Sequence, residues 1–443
     1  MSDVGEGNGH NAGRHVGGAP PPPPDASGGT PTGRGGDPWA GRVAFSTDNT
    51  GLPFAYRPGH VLTHGGRRDD ALRLLAERGY GDVEADSSVG PFLRLLNVGD
   101  PLDAVNELRL HGIHAQPNHV FFAHSGADEL SASPVYASPV YASPVYASPV
   151  YASGVGTVRH SSALPARPGV YTERMAAQMR TAPRSDAPTV FVLDTGLAAA
   201  HAAFAPGAIH ASTAIAAAAV DRADPCAAGG TLLDPAAGHS TFISGLIANV
   251  AGGTRIVVHD VLTGQGDGDE FTIAGVIDGL SPADPHRAIL NLSFGGFVLD
   301  HPLVLARSIN KFRAAGGVVV ASAGNDASPR PTFPAALPGV IGVGAIGPTG
   351  PAPFTNYGPW VRACAPGVDL ISAFFRGWED TSGAYDGWAI WSGTSFSAPL
   401  VAGSLARLLL DFGHERAATA VEELIEQPWL MRIPNLGTVV NTV

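Results

Sequence analysis

The sequence has few cysteines, few basic residues and no long apolar run. Its two cysteines in 443 residues, Cys226 and Cys364, stand outside any Cys-x-x-Cys arrangement. This argues against a zinc or redox site and favours two separate buried thiols, with a disulfide between them as the alternative. The 27 Lys and Arg residues are outnumbered by 39 Asp and Glu residues, with no long basic run. We therefore expect no nucleic-acid partner and no anionic-lipid partner.

The sequence also has no pattern typical of a membrane span or a secretory signal. A helix that crosses a bilayer needs ~20 consecutive apolar residues, and no stretch of this chain approaches that length. The N-terminal residues MSDVGEGNGHNAGRH are polar and rich in glycine, whereas a secretory signal contains an apolar region. We therefore expect a cytoplasmic protein without a membrane partner, unless it is exported by another route.

The first 125 residues divide into a low-complexity segment and a small domain. Residues 1–54 are rich in Gly and Pro, and such a segment buries too little apolar surface to offset its ordering entropy, so we predict disorder. Residues 55–125 alternate strand-like and helical patterns. Asp100 is a typical N-cap, Pro101 a typical first helical residue and Gly112 a helix stop. Their β-α-β-β-α-β order predicts a ferredoxin-like domain.

The remainder of the chain divides into a linker, a large domain and a tail. The motif SPVYA occurs four times from Ser133, and its prolines prevent a regular helix. We interpret residues 126–184 as an extended linker, with a peptide motif for a partner as the alternative. Residues 185–425 alternate β-branched runs with helical stretches, which predicts a mostly parallel sheet covered by helices on both faces. Residues 426–443 are interpreted as a C-terminal tail.

Three polar residues of the large domain stand in contexts suited to nucleophilic catalysis. Asp194 ends the apolar run TVFVLD, His239 begins the helical stretch HSTFISGLIA, and Ser395 follows a glycine turn at the start of a helix. A serine hydroxyl needs a base that removes its proton, and an imidazole needs a carboxylate that sets its tautomer. Because the carboxyl ends of parallel strands lie together, we predict that these residues form a catalytic triad.

The motifs around these residues resemble those of the subtilase family, peptidase S8. The order Asp, His, Ser is that of subtilisin, and DTG, GHST and GTSFSAP resemble the three signature blocks of the family. SAGND, residues 322–326, resembles the block whose asparagine donates to the oxyanion. That asparagine is Asn325, and Ala323 and Gly324 precede it. The resemblance covers residues 187–412 and implies a subtilisin-like α/β fold, with peptide-bond hydrolysis through an acyl-enzyme on Ser395.

Two further segments resemble the substrate-binding strands of the family. NLSFGG contains Ser293, Phe294 and Gly295 and resembles the strand that lines the primary specificity pocket, with Thr332 predicted at the base of that pocket. The segment 264–270 resembles the edge strand that pairs with the substrate before the cut. Its residues assigned to the substrate are Gly266, Asp267 and Gly268. Its carboxylates, on Asp267, Asp269 and Glu270, predict a preference for basic side chains two to four residues before the cut. The alternative is a solvated acidic turn.

The small domain, which contains the sequence PNHVF, resembles the propeptide of this family. The resemblance implies an intramolecular inhibitor whose last strand lies in the substrate cleft, and cleavage between residues 122 and 180. The alternative is an unrelated docking module. We expect protein or peptide substrates and no cofactor. No metal ligands are assigned, since a structural calcium site is not identifiable from this sequence.

Two departures from the family pattern leave other functions open. Ser240 replaces the usual glycine after the histidine, and Phe396 replaces the usual methionine. Because Ser240 adds a hydroxymethyl group beside the imidazole, a catalytically weak or silent binding protein with this fold is the main alternative. An esterase with a nucleophile elbow is disfavoured, since that motif requires glycine where Ser397 stands.

Overall fold

The computed structural model describes residues 39, 41–48, 51–123, 163–197, 209–211, 234–380 and 383–441. The small domain has five strands, β1 Ala44–Thr47, β2 Pro53–His64, β3 Glu84–Val89, β4 Phe92–Leu96 and β5 Ala115–Ala123. Its two helices are α1 Arg68–Arg78 and α2 Pro101–Leu110. From β2 onward the antiparallel sheet has the order β5-β2-β4-β3. The predicted ferredoxin-like element order is confirmed.

Local sequence signals account for the ends of these helices. The Asp100 carboxylate accepts hydrogen bonds from the backbone N–H groups of Leu102 and Asp103, which caps α2 ahead of Pro101. Gly79 follows α1 with a φ of 79°, a left-handed conformation that glycine adopts without steric cost. The buried faces of both helices pack on β2, β4 and β5 in one apolar cluster.

The predicted disorder of residues 1–54 is wrong for the part that the structure describes. β1 pairs with β2, and Val43 and Phe45 pack against Phe122 of β5. This segment is polar overall, but its few apolar side chains pack against apolar residues of β2 and β5. Residues 1–38 lie outside the described residues, as does the SPVYA repeat.

The large domain contains a mainly parallel sheet in the order β19-β20-β16-β14-β13-β11-β7-β9-β8. Its strands are β7 Thr189–Asp194, β8 Ile209–Ala211, β9 Arg255–Asp260, β11 Ala288–Leu292, β13 Val318–Ser322, β14 Ile341–Gly347, β16 Val361–Pro366, β19 Arg432–Ile433 and β20 Gly437–Val439, with β15 Gly350–Pro351 beside β14. The helices are α4 His239–Val250, α5 Glu270–Gly279, α6 Leu303–Ala314, α7 Thr394–Asp411 and α8 Ala417–Val421.

Alternate side chains of each strand point to opposite faces of the sheet, and each face carries its own core. Val190 and Val192 of β7 belong to the core under α4 and α7, whereas Phe191 and Leu193 belong to the core under α5 and α6. The predicted parallel sheet covered by helices on both faces is therefore confirmed. No described helix is both long and apolar enough to cross a membrane.

The predicted linker and tail differ from the structure at their inner ends. Within residues 126–184, β6 Leu164–Pro165 pairs with β18 Gly383–Trp391, and α3 Val170–Met179 buries Met175 and Met179 in the core under α4. Within residues 426–443, β20 adds a parallel strand beside β16. β6, α3 and β20 are short and have weak hydrophobic periodicity. Their place in the fold depends on residues far away in the chain. β18 forms a hairpin with β17 Leu370–Asp380 on its other side.

Candidate active site

Asp194 and His239 form a buried hydrogen-bonded pair. Asp194 is the last residue of β7, and the backbone N–H of Thr195 donates to its Oδ1 over 2.8 Å. His239 is the first residue of α4 and follows Gly238, whose φ of 75° turns the chain into the helix. Its Nδ1 donates to Asp194 Oδ1 over 2.7 Å, and both side chains are fully buried. This bond places the imidazole proton on Nδ1 and leaves Nε2 as the basic nitrogen.

Ser395 is the second residue of α7, after a glycine turn. Its hydroxyl donates to the backbone carbonyl of Ser293 over 2.7 Å rather than to His239, and His239 Nε2 has no hydrogen-bond partner among the described residues. In return, the Ser293 hydroxyl donates to the carbonyl of Ser395 over 2.8 Å. Asn291 at the end of β11 donates to the Ser293 hydroxyl. These bonds attach the predicted specificity strand to the start of α7.

Asn325 lies beside the same helix N-terminus. Its Oδ1 accepts from the backbone N–H of Thr394 over 3.0 Å and from the Thr394 hydroxyl over 2.9 Å. The backbone N–H of Gly324 donates to the Thr394 hydroxyl as well. The acceptor end of the Asn325 amide is thus engaged by α7, while the partial positive charge of the helix end lies close to Ser395.

An asparagine that our sequence reasoning did not single out joins the remaining predicted residues. Asn356, which is fully buried, donates to the carbonyl of Ala323 over 3.1 Å and to the Thr332 hydroxyl over 3.0 Å. Its Oδ1 accepts from the backbone N–H of Asp326. Asn356 stands in the segment FTNYG, between β14 and β16. It holds the loop of Asn325 and Thr332 together.

Aromatic side chains surround the imidazole of His239. The ring centroids of Trp391 and Phe396 lie 5.5 Å and 5.2 Å from that of His239. Phe396 also packs on Phe242 at 4.6 Å, so the unusual residue after the serine fills the apolar wall behind the imidazole. Ser240 is buried, and its hydroxyl has no hydrogen-bond partner among the described residues. The Asp194–His239 bond is nevertheless formed, so the added hydroxymethyl group does not separate the pair.

The two predicted substrate strands flank the last strand of the small domain. These strands are β10 Asp267–Asp269 and β12 Phe294–Gly295. Both pair with β5 in antiparallel register, with Asp267 opposite Phe122 and Phe294 opposite Ala123. The backbone N–H of Ala123 donates to the carbonyl of Gly266 over 2.8 Å. A Cβ on Gly266 would lie 3.3 Å from that of Ala123, so the glycine permits this close approach.

The three carboxylates of the acidic segment have different surroundings. Asp267 pairs with Arg57 of the small domain, and Asp269 caps α5. Glu270 is fully buried and accepts from the side chains of Gln116 and His119, each over 2.7 Å. Its other oxygen accepts from two backbone N–H groups at the start of α6. With the small domain in place, the Glu270 oxygens bind that domain and α6, and its attraction of basic substrate side chains stays a prediction.

The described residues contain no group of three or more His, Cys, Asp and Glu side chains placed to hold a metal ion. Burial raises the pKa of the Cys364 thiol to about 12, so this thiol is protonated at neutral pH. Cys226 lies outside the described residues.

Comparison with known proteins identifies the family. The Subtilase family model (Peptidase S8) matches residues 185–429, which is more than half of the chain. The chain is 36% identical over 200 residues to "Thermophilic serine proteinase" of Bacillus sp. (strain AK1), covering 43% of this chain and 46% of that protein. It is 35% identical over 207 residues to a subtilisin-like protease of Coccidioides posadasii (strain C735), covering 42% and 47%.

The chain spans about half the length of these curated relatives. Among solved structures, a cold adapted subtilisin-like serine proteinase is similar with a TM-score of 0.45 and 22% identity, over 58% of this chain and 88% of that chain. The family match covers Asp194, His239, Asn325 and Ser395, in the order that the sequence motifs require. The chain belongs to the subtilase family.

Proposed function

We propose that this chain is a serine endopeptidase that cleaves peptide bonds through an acyl-enzyme on Ser395. The observation that carries the proposal is the buried 2.7 Å bond between His239 Nδ1 and Asp194, because it leaves His239 Nε2 as a base. A hydroxyl at the N-terminus of α7 and an amide on Asn325 complete the set of groups that such chemistry needs.

In this mechanism the Ser395 hydroxyl leaves the Ser293 carbonyl and attacks the scissile carbonyl carbon, while its proton passes to His239 Nε2. The carbonyl oxygen becomes an oxyanion that accepts from the Asn325 amide and from the backbone N–H of Ser395. His239 then gives its proton to the leaving amine, and the C–N bond breaks. Water attacks the resulting ester by the same route, and Ser395 is regenerated.

The proposal is tested with a fluorophosphonate probe, which forms a covalent bond with an activated serine. We expect the full chain to be labelled on Ser395 and the Ser395→Ala variant to remain unlabelled. One observation favours the alternative of a catalytically silent binding protein, namely that the Ser395 hydroxyl donates to Ser293 and not to His239. A wild-type chain that neither reacts with the probe nor hydrolyses any peptide supports that alternative.

We further propose that the small domain inhibits the site until the chain is cut shortly after Ala123. The support is the position of β5, whose backbone takes the place of an extended substrate between β10 and β12. A tethered strand has a high effective concentration at the cleft, so it competes strongly with substrates. Mass spectrometry of the purified chain over time tests this. Cuts outside residues 122–180, or peptide hydrolysis at full rate before any cut, contradict the proposal.

A further inference from the structure

Asp267 is a fully buried carboxylate that two guanidinium groups neutralise. Arg57 Nη1 donates to its Oδ2 over 2.8 Å, and Arg42 Nη2 lies 3.2 Å from its Oδ1. The hydroxyl of Thr263 donates to Oδ1 over 2.5 Å. Both arginines belong to the N-terminal region, whereas Thr263 belongs to the large domain. A buried carboxylate is unfavourable without a cation beside it. Asp267 therefore depends on the small domain for its charge partners.

The side chain of Asp267 shares a face of the sheet with the side chain of Phe122. The two residues lie directly opposite each other in the antiparallel pairing of β10 with β5, and such residues project to the same side. Phe122 contacts Trp39 and Phe45 on this side, with ring centroids 5.6 Å and 6.2 Å away. Phe121 projects to the opposite side and packs on Phe294.

We propose that Asp267 forms a cation subsite that selects substrates with Lys or Arg at the place of Phe122. This inference rests on the proposed endopeptidase function and assigns part of its substrate preference. When the small domain leaves the cleft, Arg42 and Arg57 leave with it, and Thr263 remains beside Asp267. An extended substrate in the place of β5 brings one side chain directly opposite Asp267, and a basic side chain there restores the missing charge partner.

The register of β12 relates this subsite to the cut. Phe294 lies opposite Ala123, so the next residue of an extended peptide lies opposite Ser293. The carbonyl of Ser293 accepts the Ser395 hydroxyl, and the peptide residue opposite Ser293 therefore presents the carbonyl that is attacked. The place of Phe122 is then the third residue before the cut.

The other two carboxylates of the acidic segment do not form this subsite. Asp269 caps α5 through the backbone N–H of Thr272 and lies 3.7 Å from Arg57, but it is opposite Val120, two residues further from the cut. Glu270 meets His119, three residues further from the cut than Phe122, and its other oxygen stays bonded to α6. The cation subsite consists of a single carboxylate supported by Thr263.

The test is a competition between two peptides in one tube with the full chain after its processing is complete. Both peptides have the sequence of Val120–Ala123 with flanking residues, and they carry either Arg or Gln in place of Phe122. Because any residual inhibition by the small domain acts on both peptides equally, the ratio of their cleavage rates gives the ratio of kcat/KM. We expect the Arg peptide to be preferred about tenfold, the size of one charged hydrogen bond.

Asp267→Asn keeps the side-chain shape and removes the charge, so the preference for Arg should disappear in this variant. Asp386→Asn is the matched control, because Asp386 pairs with Arg376 on an exposed hairpin, and it should retain the preference. Equal cleavage of both peptides by the wild-type chain, or a preference that persists in Asp267→Asn, overturns the inference while the endopeptidase function stands. If neither peptide is cleaved by the wild-type chain, the proposed function fails and the inference with it.

Discussion

At the scale of single residues, the proposed chemistry depends on the bond between Asp194 and His239. The carboxylate holds the Nδ1 proton, and this tautomer makes Nε2 the base. Trp391 and Phe396 pack around the imidazole and exclude water from it. In these apolar surroundings, Asp194 is the counter-ion of a protonated His239. The two residues therefore act as one unit.

Replacing Asp194 by Asn should lower kcat by about 10⁴-fold, the loss known for the same change in a serine protease of another fold. The asparagine amide either donates to His239 Nδ1 or leaves the Nδ1 proton without an acceptor. The imidazole proton then moves to Nε2, which can no longer act as the base. Peptide hydrolysis at saturating substrate measures the loss. Asp260→Asn is the control, because Asp260 ends β9 in register with Asp194 but is exposed, whereas Asp194 is buried. An Asp194→Asn variant with more than a tenth of wild-type kcat contradicts this role.

Cys364 should resist alkylation in the folded chain. Burial raises its pKa to about 12, and the thiolate is the reactive form of cysteine. At pH 8.5 the thiol is therefore almost entirely protonated. It should react with iodoacetamide after unfolding in guanidinium but not before, as read by peptide mass spectrometry. Rapid labelling of Cys364 at pH 8.5 in the folded chain shows that this part of the core is open to solvent.

At the scale of elements, one strand connects the two domains. β5 is the edge strand of the small-domain sheet and pairs on its other side with β10 and β12. Its alternate side chains face two different apolar clusters, with Phe121 against the large domain and Phe122 under Trp39 and Phe45. Backbone pairing gives the strand its position, and the two phenylalanines attach it on both faces.

Phe121→Ala should weaken the hold of β5 on the cleft and so advance the onset of activity in the full chain. Phe121 is fully buried and packs against Phe294, and deleting such a ring costs about 3–5 kcal/mol. Hydrolysis of a fluorogenic peptide from the moment of purification measures the onset. Leu110→Ala is the matched control, since Leu110 is 80% exposed on α2 of the same domain. An unchanged lag in Phe121→Ala argues against inhibition by β5.

At the scale of the whole molecule, the C-terminal residues complete the large domain. β20 extends the parallel sheet beside β16, and Leu436 packs in a small core with Ala323 and Cys364. Ala323 belongs to the loop that carries Asn325. The end of the chain is thereby connected through apolar contacts to the predicted oxyanion site.

Leu436→Ala should lower the free energy of unfolding by about 2–5 kcal/mol, the range for a buried leucine that leaves a cavity. The measurement is urea unfolding in the Ser395→Ala background, which prevents self-digestion. Met431→Ala serves as the control, because Met431 is 62% exposed in the same segment. A loss below 0.5 kcal/mol for Leu436→Ala means that the C-terminal strand is not part of the stable core.

The sequence alone predicted the element order of the small domain, the parallel sheet of the large domain and the candidate triad. Asp194, His239 and Ser395 were predicted because each stands at the end of a strand or the start of a helix, and because the motifs DTG, GHST and GTSFSAP resemble those of the subtilase family. The helix caps of the small domain were predictable for a similar reason, since a cap depends on residues within one turn. Features that depend on residues within one turn of each other can be predicted from the local sequence.

Only the tertiary structure decided which distant segments meet. The strand β1, the addition of β20 to the sheet and the burial of Glu270 against His119 join residues far apart in the chain, and no local pattern encodes such contacts. The acidic segment shows the difference most clearly. Its three carboxylates look alike in sequence, but one meets arginines, one caps a helix and one is buried between two domains. Their roles follow from packing partners, because the free energy of a carboxylate depends on its surroundings and not on its neighbours in sequence.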